Sequence, residues 1–342
     1  MIKPGLLRLF LALVVVLHHS TPLRMGGWAV YVFLILSGYW IARIWDQRYQ
    51  HTRQPVMTFL ISRWWRLAPV MFSCLAIIFV TYRFNGWSLP ELTPFWVLKQ
   101  LPIAGSMSGQ RILPPQWSLD VEMQFYWAAA ILLPLQPWLH GFPLGRSAGL
   151  PCAVLVCLIS AIYIILGGFP DSPLLWPWFG FFLIGIWIWR SHWVPSVFLT
   201  VAGTSTFLIV TASLMISRET RSGLIVTGAS ASGGHFCNWP ILWQEIGSLC
   251  MAPFLAMNLR TPSSKLDRFF GNWAYPLYLF HWVPREWYYR NVNWAMPWWD
   301  SVALLLANIA VALAGSLVIL WVIDRPMDHL RTLWVKSRLL SV

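Results

Sequence analysis

Residues 302–323, VALLLANIAVALAGSLVILWVI, form a continuous run without a charged side chain. An α-helix needs about 20 predominantly apolar residues to cross the hydrocarbon core of a bilayer, so this run predicts a transmembrane helix. Similar runs occupy residues 150–166, 174–189 and 194–216. The chain as a whole is 58% hydrophobic and 11% charged, whereas about 25% of the residues of a soluble domain are charged. The sequence therefore predicts a multispan membrane protein and argues against a soluble enzyme.

The apolar pattern predicts an all-α fold, a polytopic transmembrane helical bundle of about ten spans. We expect one membrane-embedded domain over residues 1–342, without a separate soluble domain. The spans are predicted at 6–23, 28–45, 64–83, 117–135, 150–167, 174–190, 194–216, 239–258, 270–288 and 301–323. Ten spans place both termini on one side of the membrane. Lysine and arginine are more frequent on that side, which predicts that both termini are cytoplasmic.

The net charge of +12 follows largely from this topology, so we expect a lipid bilayer as partner and no nucleic acid. The five cysteines have neither the spacing of a metal site nor that of a disulfide framework, and no metal is expected. Cys237 lies in a predicted external loop, 217–238, whose Gly/Ser-rich part is expected to be mobile. The other long external loop, 84–116, is rich in proline and is expected to be extended or turn-like.

The first apolar segment begins with a cation and ends with two histidines: RLFLALVVVLHH runs from Arg8 to His19. Eleven helical steps rotate by about 1,100°, about 20° beyond three full turns, and rise by about 16 Å. Arg8 and His19 are therefore predicted on one helix face, and ionisable groups in a membrane usually face a bundle interior or a wet cavity. Such a face suits an elongated anionic ligand. The alternative is that Arg8 is a snorkelling anchor and the histidines mark the outer interface.

Six stretches of the sequence combine polar and aromatic residues within apolar surroundings. They are LRLFLALVVVLHHS (7–20), VFLILSGYWIAR (32–43), SRWWRLAP (62–69), PQWSLDVEMQFYW (115–127), NWAYPLYLFHWV (272–283) and DRP (324–326). In this order they resemble the motifs of the acyltransferase-3 family of membrane acyltransferases. The resemblance implies a membrane-bound O-acyltransferase in the bacterial inner (plasma) membrane. It implies that an acyl group, foremost acetyl, passes from cytoplasmic acyl-CoA to a hydroxyl of a glycan or lipid-linked saccharide on the extracytoplasmic side.

One position departs from the family pattern. Many members carry an acidic residue in the second-helix phrase, and the matching position here is Tyr31. If that acid orients the catalytic histidine, another group must replace it, and Glu122 is the candidate.

Acyl transfer to a hydroxyl needs a base, and histidine is the usual one because its unperturbed pKa lies near 6.5. His19 takes this role by its match to the family, and an acyl-histidine intermediate is the variant. Glu122, with His19, is assigned to catalysis, either by orienting the imidazole or by holding acceptor hydroxyls. Asp120 is expected to be structural, beside the dipole of a helix that Ser118 caps.

The remaining site predictions concern the two substrates. Arg63 and Arg66 form an i, i+3 pair whose guanidinium groups suit a phosphate, and with Arg8 they would hold the nucleotide end of acyl-CoA, the donor that the resemblance implies. The alternative is that they anchor the chain under the positive-inside rule. Substrate contacts are predicted for Trp117, Ser118, Gln124, Tyr126 and His281.

Two other functions stay open at this point. A transporter or flippase of an amphiphilic anion would also place charged groups inside the membrane. A relative that binds glycan without catalysis would explain the tyrosine at position 31. The sequence leaves open whether the chain forms a homo-oligomer.

Overall fold

The computed structural model describes residues 2–88, 94–108, 112–135, 149–166, 172–216, 239–291 and 297–340. Within these ranges the regular secondary structure is helical and no β-strand is formed, although an isolated antiparallel bridge joins Thr52 to Leu339. The prediction of an all-α fold is confirmed. The predicted loop 217–238, with Cys237, lies outside the described residues.

The helices are α1 (Pro4–Ser20), α2 (Gly26–Gln47), α3 (Pro55–Phe84), α4 (Pro94–Gln100), α5 (Gln116–Leu135), α6 (Gly149–Ile165), α7 (Phe179–Ser191), α8 (Val197–Ile216), α9 (Trp239–Cys250), α10 (Ala252–Asn258), α11 (Lys265–Phe280), α12 (Trp282–Asn291), α13 (Trp298–Ile319) and α14 (Arg325–Lys336). A π-helical turn, Leu320–Asp324, connects α13 to α14. Short 3₁₀ turns lie at Tyr49–His51 and Gly105–Ser108.

By length and composition, four helical stretches of the described residues are long and apolar enough to cross a bilayer. They are Gly26–His51, Pro55–Phe84, Val197–Ile216 and Trp299–Lys336. Pro4–Ser20, Leu150–Ile165 and Phe179–Ser191 are apolar but shorter. These helices agree with a membrane protein, while the count of ten spans and the cytoplasmic termini stay predictions.

Two predicted spans are each divided into two helices. Span 239–258 consists of α9 and α10, which starts with a proline in its first turn. Span 270–288 is interrupted at His281, between α11 and α12. Pro284 follows this break, and because proline has no N–H it cannot donate to the carbonyl four residues earlier. The break matters for function because it lies at a predicted site residue.

The loop 84–116, which is predicted to be external, is only partly described. Its residues 94–108 form the short helix α4 and a 3₁₀ turn, so this part is more helical than predicted. Residues 89–93 and 109–111 lie outside the described residues.

Helices α2 and α7 pack with their backbones in close contact. A Cβ atom added to Gly38 would lie 2.0 Å from the carbonyl oxygen of Phe182, and one added to Gly185 would lie 2.0 Å from that of Ile35. Small residues at helix crossings allow this close approach in membrane proteins. The two glycines thereby fix the position of α2, whose opposite face borders the candidate site.

Helix α1 packs against α11 in a similar way. A Cβ atom on Gly5 would lie 1.8 Å from the carbonyl oxygen of Asp267. The Asp267 carboxylate accepts hydrogen bonds from the Leu6 amide (2.9 Å) and the Ser263 hydroxyl (2.5 Å). It thus satisfies one of the unpaired N–H groups of the first turn of α1.

The π-helical turn before α14 directs two contacts towards α3. Asp324, at the end of the turn, pairs with Arg66. In α14, Arg331 donates to the Ser62 hydroxyl at 3.0 Å. The C-terminal helix is therefore joined to α3 by polar contacts as well as by apolar packing.

Candidate functional site

A cavity of about 230 Å³ lies between α1, α2, α3, α5 and α11. Most of its lining is apolar, as in typical ligand sites. The polar side chains that line it are Arg8, Ser37, Arg63, Arg66, Ser118, Glu122, Tyr126, Tyr275 and Tyr278. Five of the predicted site residues meet here in addition to Arg8, and the six come from three helices, α1, α3 and α5.

The three predicted arginines converge at one end of this cavity. Arg8 lies 5.1 Å from the ring centroid of Trp40, and Arg63 donates to the Tyr49 hydroxyl at 2.9 Å. Arg66 pairs with Asp324. Within the described part of the chain, neither Arg8 nor Arg63 forms an ion pair with a carboxylate. This end of the cavity therefore carries an excess of positive charge in an enclosed setting, which suits an anionic ligand.

Glu122 lies with the arginines rather than with the histidines. Its Oε1 accepts hydrogen bonds from the Ser37 hydroxyl, at 2.7 Å, and from the Tyr126 hydroxyl one turn along α5. Among the described residues it makes no hydrogen bond to His19, so the expectation that Glu122 orients the imidazole is not met by this geometry. Because Glu122 lines the cavity, it can still contact a substrate bound there.

A hydrogen bond between α5 and α11 lies in the wall of the cavity. The hydroxyls of Ser118 and Tyr278 are 2.8 Å apart, and both residues line the cavity. The expectation that Ser118 caps α5 is wrong, because the helix begins two residues earlier at Gln116. The Ser118 hydroxyl lies instead within reach of the Pro115 carbonyl and of Tyr278.

The predicted base, His19, is not part of the cavity lining. Its ring stacks on that of His281, with centroids 5.3 Å apart and planes at 20°, and contacts Trp282 at 5.1 Å. His281 is 1% exposed, and its Nδ1 lies 2.7 Å from the Tyr278 carbonyl oxygen. Because a carbonyl only accepts, Nδ1 must be the donor. In the neutral ring Nε2 is then an acceptor, and it is buried without a partner in the described residues.

The two histidines thus form a pair, which the sequence did not predict. Arg8 and His19 share the interior side of α1 as expected, but the cavity lining includes Arg8 and Tyr278 and not His19. The Tyr278 carbonyl accepts a hydrogen bond from the His281 ring, which stacks on His19. His281, which was predicted to contact the substrate, packs against His19 instead of lining the cavity.

Two of the residues predicted to contact substrate, Gln124 and Trp117, make contacts within the protein instead, and Asp120 is structural as expected. The Gln124 amide donates to the Pro173 carbonyl (2.6 Å) and accepts from the Leu175 amide (3.1 Å). Asp120 accepts from the Ser106 amide at 2.7 Å, so it anchors the 3₁₀ turn beside α5. Trp117 packs on Trp178 with centroids 6.1 Å apart. None of the three lines the cavity.

Tyr31, which replaces the acidic residue of the family pattern, lies on the side of α2 that packs on α7. Its ring is fully buried and stacks with Trp178 and Phe181, at centroid distances of 5.3 and 5.1 Å. The tyrosine therefore contributes to packing. The groups around His19 are instead His18, His281 and Trp282.

Sequence reasoning missed Ser37, Tyr278 and Asp324 as members of the site. Ser37 and Tyr278 lie within quoted family stretches, and Asp324 opens the DRP phrase. Their positions in those motifs were the signal, but only the packing of α2, α11 and the π-helical turn shows which atoms they contact.

Comparison with known proteins gives two matches. The profile of a family described as "Acyltransferase domain" matches residues 3–321. A protein of Komagataeibacter xylinus with the printed name "Putative membrane-bound transacylase BcsY" is 34% identical over 150 residues, which cover 38% of this chain and 37% of that protein. The chain thus matches little more than a third of the length of that relative. No solved structure matches the chain.

Proposed function

Because this chain belongs to the acyltransferase domain family, we propose that it is a membrane O-acyltransferase that uses acyl-CoA, foremost acetyl-CoA, and acylates a hydroxyl of a glycan or lipid-linked saccharide. Membrane character and acyl transfer follow from the apolar helices and the family. The donor, the acetyl group, the acceptor and the location in a bacterial inner membrane are parts of the proposal. The observation that carries it is the convergence of Arg8, Arg63 and Arg66 on one cavity.

The arginine end of the cavity is the proposed site for the phosphates of acyl-CoA. Guanidinium groups bind phosphates through paired N–H donors, and two of the three here lack a carboxylate partner among the described residues. The apolar middle of the cavity, with Phe33 and Leu34, would accommodate the pantetheine arm. The thioester would then point towards Ser118 and Tyr278.

In the proposed reaction, an acceptor hydroxyl oxygen bonds to the thioester carbonyl carbon while its proton passes to the imidazole of His19. The C–S bond breaks, and the CoA thiolate leaves with a proton returned by the imidazolium, so the products are an ester and free CoA. On this route the acyl group must pass the Ser118–Tyr278 hydrogen bond to reach His19. The passage is short because Tyr278 and His281 are neighbours on one helical turn.

The donor site can be tested with lysine substitutions. Lysine keeps the charge but loses the forked geometry, so R63K and R66K should each raise the KM for acetyl-CoA about tenfold, equivalent to about 1.4 kcal/mol. R268K is the matched control, since Arg268 lies at the start of α11 outside the cavity lining. An unchanged KM for acetyl-CoA in both cavity variants would refute the binding of acyl-CoA phosphates by Arg63 and Arg66.

The carrier alternative predicts a different readout from the same protein. In proteoliposomes, release of CoA together with an esterified acceptor supports the enzyme. Movement of acyl-CoA across the bilayer without release of CoA supports a transporter or flippase and would contradict the proposal.

A further inference from the structure

A cluster of charged and aromatic side chains joins the end of α3 to α12. Glu286 forms ion pairs with Arg285 (3.1 Å) and Arg290 (3.6 Å), and its Oε2 accepts from the Tyr82 hydroxyl at 3.1 Å. The Arg290 guanidinium lies 4.3 Å from the Trp87 ring centroid. We call these five residues the Glu286 cluster. None of them has a role in the donor cavity or in the histidine pair.

Tyr82 of the Glu286 cluster lies at the C-terminal end of α3, whereas Arg63 and Arg66 lie towards its N-terminal end. From Arg66 to Tyr82, α3 rises by about 24 Å, which approaches the thickness of the hydrocarbon core of a bilayer, about 30 Å. His19 lies between the two ends, about 16 Å along α1 from Arg8. The donor and the cluster would therefore meet the base from opposite sides of the membrane.

A single aromatic ring connects the cluster to the base. The Trp282 centroid lies 5.1 Å from that of His19 and 4.0 Å from the Arg285 guanidinium carbon. On its other side the Arg285 guanidinium lies 4.1 Å from the ring centroid of Tyr289, whose side chain is 44% exposed. A molecule held on the cluster would thus lie one side-chain layer from His19.

The chemistry of the cluster fits a polyhydroxylated ring. Sugar hydroxyls both donate and accept, and a carboxylate flanked by two guanidinium groups offers both functions over a short distance. The C–H faces of a sugar can pack on exposed aromatic rings such as Tyr289. An interfacial aromatic belt needs tryptophan and tyrosine only, so it does not explain a carboxylate that is 14% exposed and engaged by three neighbours.

We propose that the Glu286 cluster, together with Tyr289, is the subsite that binds the acceptor saccharide and presents its hydroxyl to His19. This inference rests on the proposed function, since it assigns the second substrate of the same reaction. The inference goes beyond the proposed function by placing the saccharide on α12 and the end of α3 rather than in the arginine-lined cavity.

The test uses membranes that contain the full chain, with acetyl-CoA as donor and the envelope polysaccharide of the host cell, de-esterified with mild base, as the acceptor. The KM values for polysaccharide and for acetyl-CoA are measured separately. Glu286→Gln removes charge-assisted hydrogen bonds and should raise the polysaccharide KM about tenfold or more, while the acetyl-CoA KM stays within about twofold. Tyr289→Leu alters an exposed ring, so it probes the same subsite without a burden on folding.

Trp287→Leu is the matched control. Trp287 is on the same helix and is 42% exposed, but it contacts none of the cluster residues by ring or charge in the described structure. It should leave both KM values unchanged. If Glu286→Gln and Tyr289→Leu keep the wild-type polysaccharide KM, or raise the acetyl-CoA KM instead, the subsite is refuted while the acyltransferase stands. If the wild-type protein neither releases CoA nor forms an ester, the proposed function itself fails.

Discussion

His19 and His281 stack with their ring centroids 5.3 Å apart, although 262 positions separate them in the chain numbering. The carbonyl of Tyr278 fixes Nδ1 of His281 as a donor, so the neutral ring presents an unprotonated Nε2 beside His19. A buried acceptor without a partner is costly and is often found where a substrate supplies the missing group. His281 is therefore the residue to separate experimentally from His19.

We expect His281→Asn to keep the structural role of this side chain, its hydrogen bond to Tyr278, and to remove the chemical role of Nε2. The asparagine amide can still donate to the Tyr278 carbonyl, but it has no counterpart of Nε2. The kcat should fall about 10²-fold, within the range for loss of acid–base assistance, while the melting temperature in detergent stays close to that of the wild type. CoA release and thermal unfolding measure the two effects.

His19→Ala is the reference for this comparison. It should abolish transfer while the protein remains folded in the membrane. Full activity of His19→Ala would remove the histidine from the mechanism, and wild-type kcat in His281→Asn would reduce His281 to a packing residue.

Glu122→Gln should act on the donor and not on the base. The carboxylate shares its cavity with three guanidinium groups, so its neutralisation raises the positive charge available to the anionic end of acyl-CoA. We expect a severalfold lower KM for acetyl-CoA at low ionic strength, and the difference should shrink in salt because Coulomb interactions are screened. A raised KM for acetyl-CoA would contradict this prediction. Unchanged donor kinetics together with an altered pH profile would indicate that Glu122 acts on the histidines instead.

Gly185→Ala should destabilise the protein through the contact of α7 with α2. The added Cβ would lie 2.0 Å from the Ile35 carbonyl oxygen, so the helices must separate, at a cost of about 1–3 kcal/mol. Gly185→Val should lose more than Gly185→Ala, since the displacement grows with side-chain size. Melting temperatures in one detergent provide the series, and a flat series would show that the crossing is not close-packed.

Asp267→Asn should reveal a pH-dependent contribution at the start of α1. Burial acts to raise the pKa of Asp267, but hydrogen bonds from Ser263 and from the Leu6 amide outweigh it and hold the pKa below its usual value. A lowered pKa stabilises the folded state above the ordinary aspartate pKa, and this stability is lost as the pH falls through the folded-state pKa. The melting temperature of Asp267→Asn should therefore be lower than wild type at pH 7 and equal to it in strong acid. A constant difference across this range would contradict the linkage.

Part of the arginine-lined cavity could be predicted from the sequence, through the periodicity within each helix and through the family resemblance that joins Arg8 to Arg63 and Arg66. Arg8 and the pair Arg63 and Arg66 lie on helices whose registers the spacing fixes, and all three line one cavity. Ser118, Glu122 and Tyr126 share a face of α5 for the same reason. Periodicity predicts which residues of one helix share a face.

It does not predict which helices touch, and this is where expectations failed. Glu122 was expected beside His19, yet α5 presents it to Ser37 on α2. The partner of His19 is His281, which lies at the break between α11 and α12. The apolar composition of residues 270–288 predicted one continuous span there and did not indicate the break. The sequence did not indicate that Tyr31 packs against α7, because tyrosine occurs both in functional sites and in hydrophobic cores.

The π-helical turn Leu320–Asp324 has a consequence for how this protein tolerates changes in chain length. Removal or addition of one residue within the turn would rotate everything after it by about 100° relative to α3. Asp324 would then leave Arg66, and Arg331 would leave Ser62, in a single step. During divergence, this segment should therefore accept exchanges of side chains far more readily than insertions or deletions.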